Sequence, residues 1–200
     1  MAFEFMPGAT VVGISYNNGV ILAAEKRISF GTFVVNKNMK KTFPVTDHVG
    51  AACAGMVADM TVLVRQVEAL AKIRKLETRR EVAPNSVAKL MSVIMFERRY
   101  FPLLTQVIVG GINDKPEIYT LDPLGSVLPD QYAAVGTGAE MALGIMDAEF
   151  KQGMSEEKAR ELAVRAVKSA IQRDAASGDG IDVLFVTKSG TREETISFKN

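Results

Sequence analysis

The sequence predicts an α+β chain built as a four-layer α/β/β/α sandwich. Two observations carry this. Strand-like runs and helix-like runs occur in blocks, in the order strands, two helices, strands, two helices, strands. Helices that come in consecutive pairs, not in alternation with single strands, segregate onto the outer faces of two sheets. A third observation sets the scale: 200 residues, 48% of them hydrophobic, suffice for one domain with a substantial core.

Residues 9–16, "ATVVGISY", are rich in Val and Ile and read as a strand. Asn17-Asn18-Gly19 is a tight-turn signal, and "VILAAE" returns as the second strand of a hairpin. Thr32 to Asn36 reads as a further short strand, and His48 to Gly55 as a fully buried one. After Gly55 the period changes. Met56, Met60, Leu63, Val64, Val67, Leu70 and Ala71 fall three and four apart, which predicts a helix to about Leu76. Pro84 and Asn85 punctuate, and "SVAKLMSVIMFERRY" predicts a second helix. Residues 105–121 read as two strands joined by "NDKP", and "DQYAAVG" as another. From Gly138 the spacing of Met141, Ala142, Ile145, Met146 and Phe150 is helical. Ser155 caps the last helix, with Glu156 and Glu157 in its first turn. "GDGIDVLFVTKSG" and "TREETISF" close the chain as a hairpin. Residues 1–8, "MAFEFMPG", lack the basic and long apolar regions of a secretion signal. They read as a short leader ahead of a domain spanning 9–200.

Composition excludes several classes. A formal net charge of +1 gives no footing for nucleic acid or an acidic membrane. The basic run Lys72, Arg74, Lys75, Arg79 and Arg80 reads as a solvated helix end. No apolar stretch approaches the ~18 residues that span a bilayer. Cys53 is the single cysteine and has no disulfide partner within the chain. His48 has no Cys or His nearby, so no metal and no cofactor is expected. The Met-rich helix faces read as core.

Three short stretches could carry chemistry. Glu25 stands at the end of the second strand, and Lys41 follows sixteen residues later in "NMKK"; a Lys beside a Glu in a buried cleft holds an ammonium next to a reacting group. In "RDAASGDGID", Asp174 precedes Ser177 by three residues at a helix end. "GTGAEMALG" lacks the spacing of a phosphate-cradling loop and reads as a tight strand-to-helix turn.

Together these pieces are specific. "TVVGI", "GVILAAEKR", "KNMKK", "AGMVAD", "RYFPLLTQVIVGGI", "YTLDPLG", "GTGAEMALGIMD" and "AVKSAIQRDAASGDGID" occur in the order and spacing of the β-type subunit of the archaeal 20S proteasome, which the chain resembles from residue 9 to about 187. The resemblance implies the N-terminal nucleophile hydrolase fold and a threonine endopeptidase that degrades cytoplasmic proteins. It implies partners too: α-subunits and other β-subunits in stacked seven-membered rings, a regulatory ATPase acting indirectly, and unfolded protein substrates. The location implied is the cytoplasm. In that family the leader is cut after Gly and frees an N-terminal Thr. Its hydroxyl attacks the substrate carbonyl, and its amine serves as base. By resemblance Lys41 lowers the amine's pKa, Glu25 orients Lys41, and Asp174 and Ser177 support the N-terminus. Thr137 takes a place commonly held by Ser, and the Gly55 N–H stabilises the oxyanion. Ile28, Met39, Phe43, Cys53, Val57 and Thr61 fall where the family builds its specificity pocket, which would suit a bulky apolar residue.

The chain departs from the pattern at one position. Ala9 stands where the nucleophilic Thr belongs. Loss of that hydroxyl removes the nucleophile and the self-cleavage that uses it, so the amine stays locked in the bond to Gly8. Thr10 is the one substitute nearby, but neighbouring side chains on a strand point to opposite faces, which turns Thr10 away from Lys41. The expectation is a catalytically silent subunit that is mainly structural in the ring. The alternative is an active subunit whose Thr was replaced by Ala and which is trapped unprocessed. Retention of Glu25, Lys41, Asp174 and Ser177 speaks for the alternative; the short leader and the unforced "GATVV" speak for natural silence.

Overall fold

A computed structural model describes residues 8–198; of the expected leader, residues 1–7 lie outside the described residues. The strands form two five-stranded antiparallel sheets. The first has the order β10-β1-β2-β11-β12, from β1 (Thr10–Tyr16), β2 (Gly19–Glu25), β10 (Tyr132–Gly136), β11 (Ile181–Thr187) and β12 (Gly190–Ile196). The second has the order β5-β6-β7-β8-β9, from β5 (Thr42–Thr46), β6 (Val49–Gly55), β7 (Thr105–Ile112), β8 (Pro116–Leu121) and β9 (Val127–Asp130). A separate two-stranded piece joins β3 (Ile28–Phe30) to β4 (Phe33–Asn36).

Helices α1 (Val57–Thr78) and α2 (Pro84–Glu97) cover the second sheet, with Met60, Leu63, Val67, Met91 and Met95 packed onto Val49, Ala51, Cys53, Val107 and Val109. Helices α3 (Ala139–Glu149) and α4 (Glu156–Ile171) cover the first, with Met146, Leu162, Ala163 and Val167 against Val12, Ile14, Ile21 and Phe185. Between the sheets lies a third core: Ala9, Val11, Leu22, Ala24, Ala52, Ala54, Ile108 and Leu184. These are the four layers α/β/β/α of the N-terminal nucleophile hydrolase fold.

Alternation along β1 decides which way the site faces. Ala9 and Val11 point between the sheets, and Val12 and Ile14 belong to the helix-side cores at other positions of the same strand. The first hairpin is as expected, Tyr16 pairing with Gly19 across the Asn17-Asn18 turn. Ser155 caps α4 by accepting from Lys158 N at 3.4 Å.

Some boundaries differ from expectation. Pro84 does not merely precede α2 but is its first residue, where a missing N–H costs nothing. That helix ends at Glu97, short of Tyr100. Strands β3, β5 and β9 were not foreseen. Lys41 accordingly sits just before β5, outside any strand, with its carbonyl accepting from Cys53 N at 2.9 Å.

Candidate active site

The site gathers at one end of the sandwich, where β1 begins, β2 ends and the α4–β11 loop passes between them. Glu25, the last residue of β2, is fully buried. A buried carboxylate is tolerable only when its oxygens are satisfied. Glu25 accepts from Arg27 N at 2.6 Å, from Gly178 N at 3.0 Å, from Thr10 N at 3.4 Å and from the Lys41 ammonium. Lys41 is equally buried and also donates to the Arg27 carbonyl at 2.6 Å. Burial pulls the Lys41 pKa below its ordinary value, against the opposing pull of Glu25. Burial pushes Glu25 upward, against the stabilising Lys41 and the N–H groups of Gly178 and Arg27. The two groups thus meet as expected, an ammonium held in low dielectric beside a carboxylate.

Asp174 organises the second half. Its Oδ2 accepts from Thr137 Oγ1 at 2.5 Å and from Ser177 Oγ at 2.7 Å, and its Oδ1 from Ala176 N at 3.1 Å. Each hydroxyl carries one proton. With the Thr137 proton given to Asp174, a lone pair of Thr137 is left to accept the Ala9 N–H at 3.2 Å. With the Ser177 proton given to Asp174, the Thr10 hydroxyl, 2.8 Å from Ser177 Oγ, donates to Ser177. The relay therefore ends on the backbone nitrogen of residue 9, which in this chain is an amide bonded to Gly8.

The turn Gly136-Thr137-Gly138 is brought close by glycine. Gly136 has φ +100°, and a Cβ there would lie 2.1 Å from the Ala9 carbonyl oxygen. Gln106 on β7 holds the same turn from the other sheet, its Oε1 accepting from Gly136 N at 2.9 Å. Gln106 was not singled out in the sequence. Its signal is there, a lone amide in the apolar run "TQVIVGGI", because a polar group in a buried strand needs a partner.

The remaining expected residues are placed as follows. Gly55 ends β6 opposite Thr105, and its neighbour Ala54 packs beside Gly136. Thr10 is fully buried, lies against Gly138 and Ser177, and so faces away from the space between the sheets that Ala9 enters. Met39, Phe43 and Val57 pack half-buried on the core under α1, and Ile28 starts β3. Thr61 donates to the Val57 carbonyl at 2.7 Å within α1. Cys53 differs from a surface-lining residue: it is wholly enclosed, and burial alone pushes its thiol up to about 12. It can support a pocket from beneath but offers no face to a substrate. Among the described residues no group of three or more His, Cys, Asp or Glu is set to hold a metal ion. A cleft of about 580 Å³, lined by Tyr16, Asn17, Pro116, Tyr119 and Gln131, opens at the far end of β1 and contains none of these residues.

The pattern of the family described as "Proteasome subunit" matches residues 6–186. The chain belongs to the proteasome subunit family. Archaeal β subunits are among its relatives. It is 65% identical over 195 residues to proteasome subunit beta 1 of Nitrosopumilus maritimus, covering 98% of both chains. It is 65% identical over 188 residues to proteasome subunit beta 1 of Cenarchaeum symbiosum, covering 94% of this chain and 97% of that one. To proteasome subunit beta 2 of Pyrobaculum calidifontis it is 46% identical over 200 residues, covering 100% and 98%. The proteasome β architecture accounts for the two helix pairs and for the loops that converge on residue 9.

Proposed function

We propose that this proteasome β-type subunit is hydrolytically silent as it stands and serves as wall and contact surface of a threonine endopeptidase chamber. The observation that carries the reading is the side chain at the end of the relay. Thr137, held by Asp174, accepts the Ala9 N–H; Ser177 and the Lys41-paired Glu25 engage the next residue, Thr10; and the side chain at position 9 itself is only a methyl. A methyl cannot attack a carbonyl, and without that attack the Gly8–Ala9 bond is not cut. The amine that would act as base then never forms. Removing the nucleophile of a serine protease costs on the order of a million-fold in turnover, which the surrounding donors do not restore. Thr10 does not replace it, because its hydroxyl is already engaged with Ser177.

The assembly we infer is of stacked seven-membered rings with α-subunits and other β-subunits in the cytoplasm, taking unfolded proteins delivered by an ATPase. Among the described residues no helix is long and apolar enough to cross a membrane. In an active chain Lys41 would lower the pKa of the freed amine, and the Gly55 N–H would receive the oxyanion. Ile28, Met39, Phe43, Val57 and Thr61, with Cys53 behind them, would accept an apolar side chain. A second reading is favoured by the intact Glu25–Lys41 pair and the intact Asp174 network: an active subunit whose Thr was exchanged for Ala. The codon at position 9 of the gene separates natural silence from exchange.

The test is co-expression with α-subunits. The Ala9 chain is expected to assemble, to keep residues 1–8 and to leave fluorogenic peptides with an apolar residue before the cut intact. Trimming after Gly8 by the chain itself, or hydrolysis of those peptides without another β-subunit, overturns the proposal.

A further inference from the structure

Arg27 joins the two halves of the site. Its main chain belongs to the first half: its N–H donates to Glu25 Oε2 at 2.6 Å, and its carbonyl accepts from Lys41 Nζ at 2.6 Å. Its side chain belongs to the second. The guanidinium donates to Asp179 Oδ2 at 2.7 Å and Oδ1 at 3.4 Å, and to the Ala175 carbonyl at 3.0 Å. Asp179 adopts φ +67°, an uncommon conformation for a residue with a Cβ, and the two-point contact with Arg27 holds it there. The guanidinium lies directly on Gly178, where an added Cβ would be 2.4 Å from it. Two further hydrogen bonds tie the same segment to the end of β2: Lys26 N donates to Gly178 O at 3.1 Å, and Gly178 N donates to Glu25 Oε2 at 3.0 Å. Residues 174–179 are therefore fastened to the end of β2 at two places: Glu25 and the Lys26 N–H hold Gly178, and the Arg27 guanidinium grips Ala175 and Asp179 on either side of it.

We propose that Arg27 is a positioning residue. It fixes the 174–179 loop against the Glu25–Lys41 pair and so determines where Asp174 and Ser177 hold Thr137 and Thr10 around residue 9. This rests on the reading of the constellation as a nucleophile site that lacks only its hydroxyl. Arg27 touches neither residue 9 nor the place of a substrate; it acts through Asp179, Ala175 and Gly178. A misplacement of about 1 Å in such a support costs on the order of 100-fold in rate.

The experiment has two arms, so that this proposal and the functional reading can fail separately. In the chain as it stands, amide hydrogen exchange is measured at residues 9, 10 and 176–178 for Arg27→Gln, Arg27→Lys and Asp179→Asn. Val67→Ala, a substitution in the separate core under α1, is the stability control, with temperature adjusted to equal distance below each Tm. Exchange at those five amides is expected to rise at least tenfold in Arg27→Gln and Asp179→Asn and not in the control. Arg27→Lys should recover part of the protection. A uniform rise matching the control, or no rise, overturns the proposal, and Asp179→Asn keeps the test open if Arg27→Gln does not fold. In the second arm Ala9→Thr is combined with Arg27→Lys. A kcat lowered on the order of 100-fold, with KM changed by less than about twofold, is the expected split. A lowered affinity with unchanged kcat contradicts positioning. An inert Ala9→Thr chain contradicts the functional reading alone, and the exchange arm still decides on Arg27.

Discussion

Glu25 and Lys41 lie at 0% and 1% side-chain exposure, so each is a charge that only its partner makes tolerable. Replacing one leaves the other buried and unpaired. Glu25→Ala is expected to cost about 3–5 kcal/mol. The double change Glu25→Gln with Lys41→Met should cost clearly less than the two single changes together, as read by urea unfolding in a double-mutant cycle. Strict additivity would contradict the pairing. A pH effect sits at Glu194, whose pKa is lowered by its hydrogen bond to Arg160 and then by that residue's charge. A carboxylate with a depressed folded value adds stability above its unfolded value and loses it as pH falls through the folded one. The Tm of the native chain should therefore exceed that of Glu194→Gln at neutral pH, and the two should converge in acid below the ordinary carboxylate range. A gap that persists or widens in acid contradicts this. The residues with chemistry in their side chains were legible at this scale. Glu25, Lys41, Asp174 and Ser177 stand in short, distinctive contexts. Gln106 shows only as a lone amide in an apolar run, and its partner Gly136, like the Asp179 carboxylate that Arg27 grips, is distant in sequence, so the contact itself is not announced locally.

At the scale of elements, the last helix depends on its first turn. Ser155→Ala removes the cap that accepts from Lys158 N and should cost about 1 kcal/mol, with Ser155→Asp costing less; thermal unfolding of both variants checks it. The four helices and the long strands of the described residues were legible because the apolar period covers many residues, as in Met60, Leu63, Val64 and Val67. Strands β5 and β9 were hidden by Pro44 and Pro129. Both are edge strands, where a residue without an N–H is accommodated, and a proline there argues against a strand only if the strand is central. β3 is three residues long and has no period to read.

At the scale of the whole molecule, the space between the sheets is filled mostly by alanines and valines, with Leu22, Ile108, Ile118 and Leu184 as the largest side chains. Leu184→Ala should destabilise by about 2–5 kcal/mol in denaturant unfolding, since neither sheet can move inward without disturbing its own helix pair. The layering was legible from the order of elements. The burial of Cys53 was legible too, in the small apolar run His48 to Gly55; only the resemblance set it among pocket residues. The layers bring three loops to residue 9, and the central claim is that one absent oxygen there silences a site otherwise built to act. Intact mass of the Ala9 chain and of Ala9→Thr, each assembled with α-subunits, tests this most directly. The account predicts that the first keeps its full 200-residue mass and the second loses residues 1–8. A trimmed Ala9 chain, or an Ala9→Thr chain that stays whole, would contradict it.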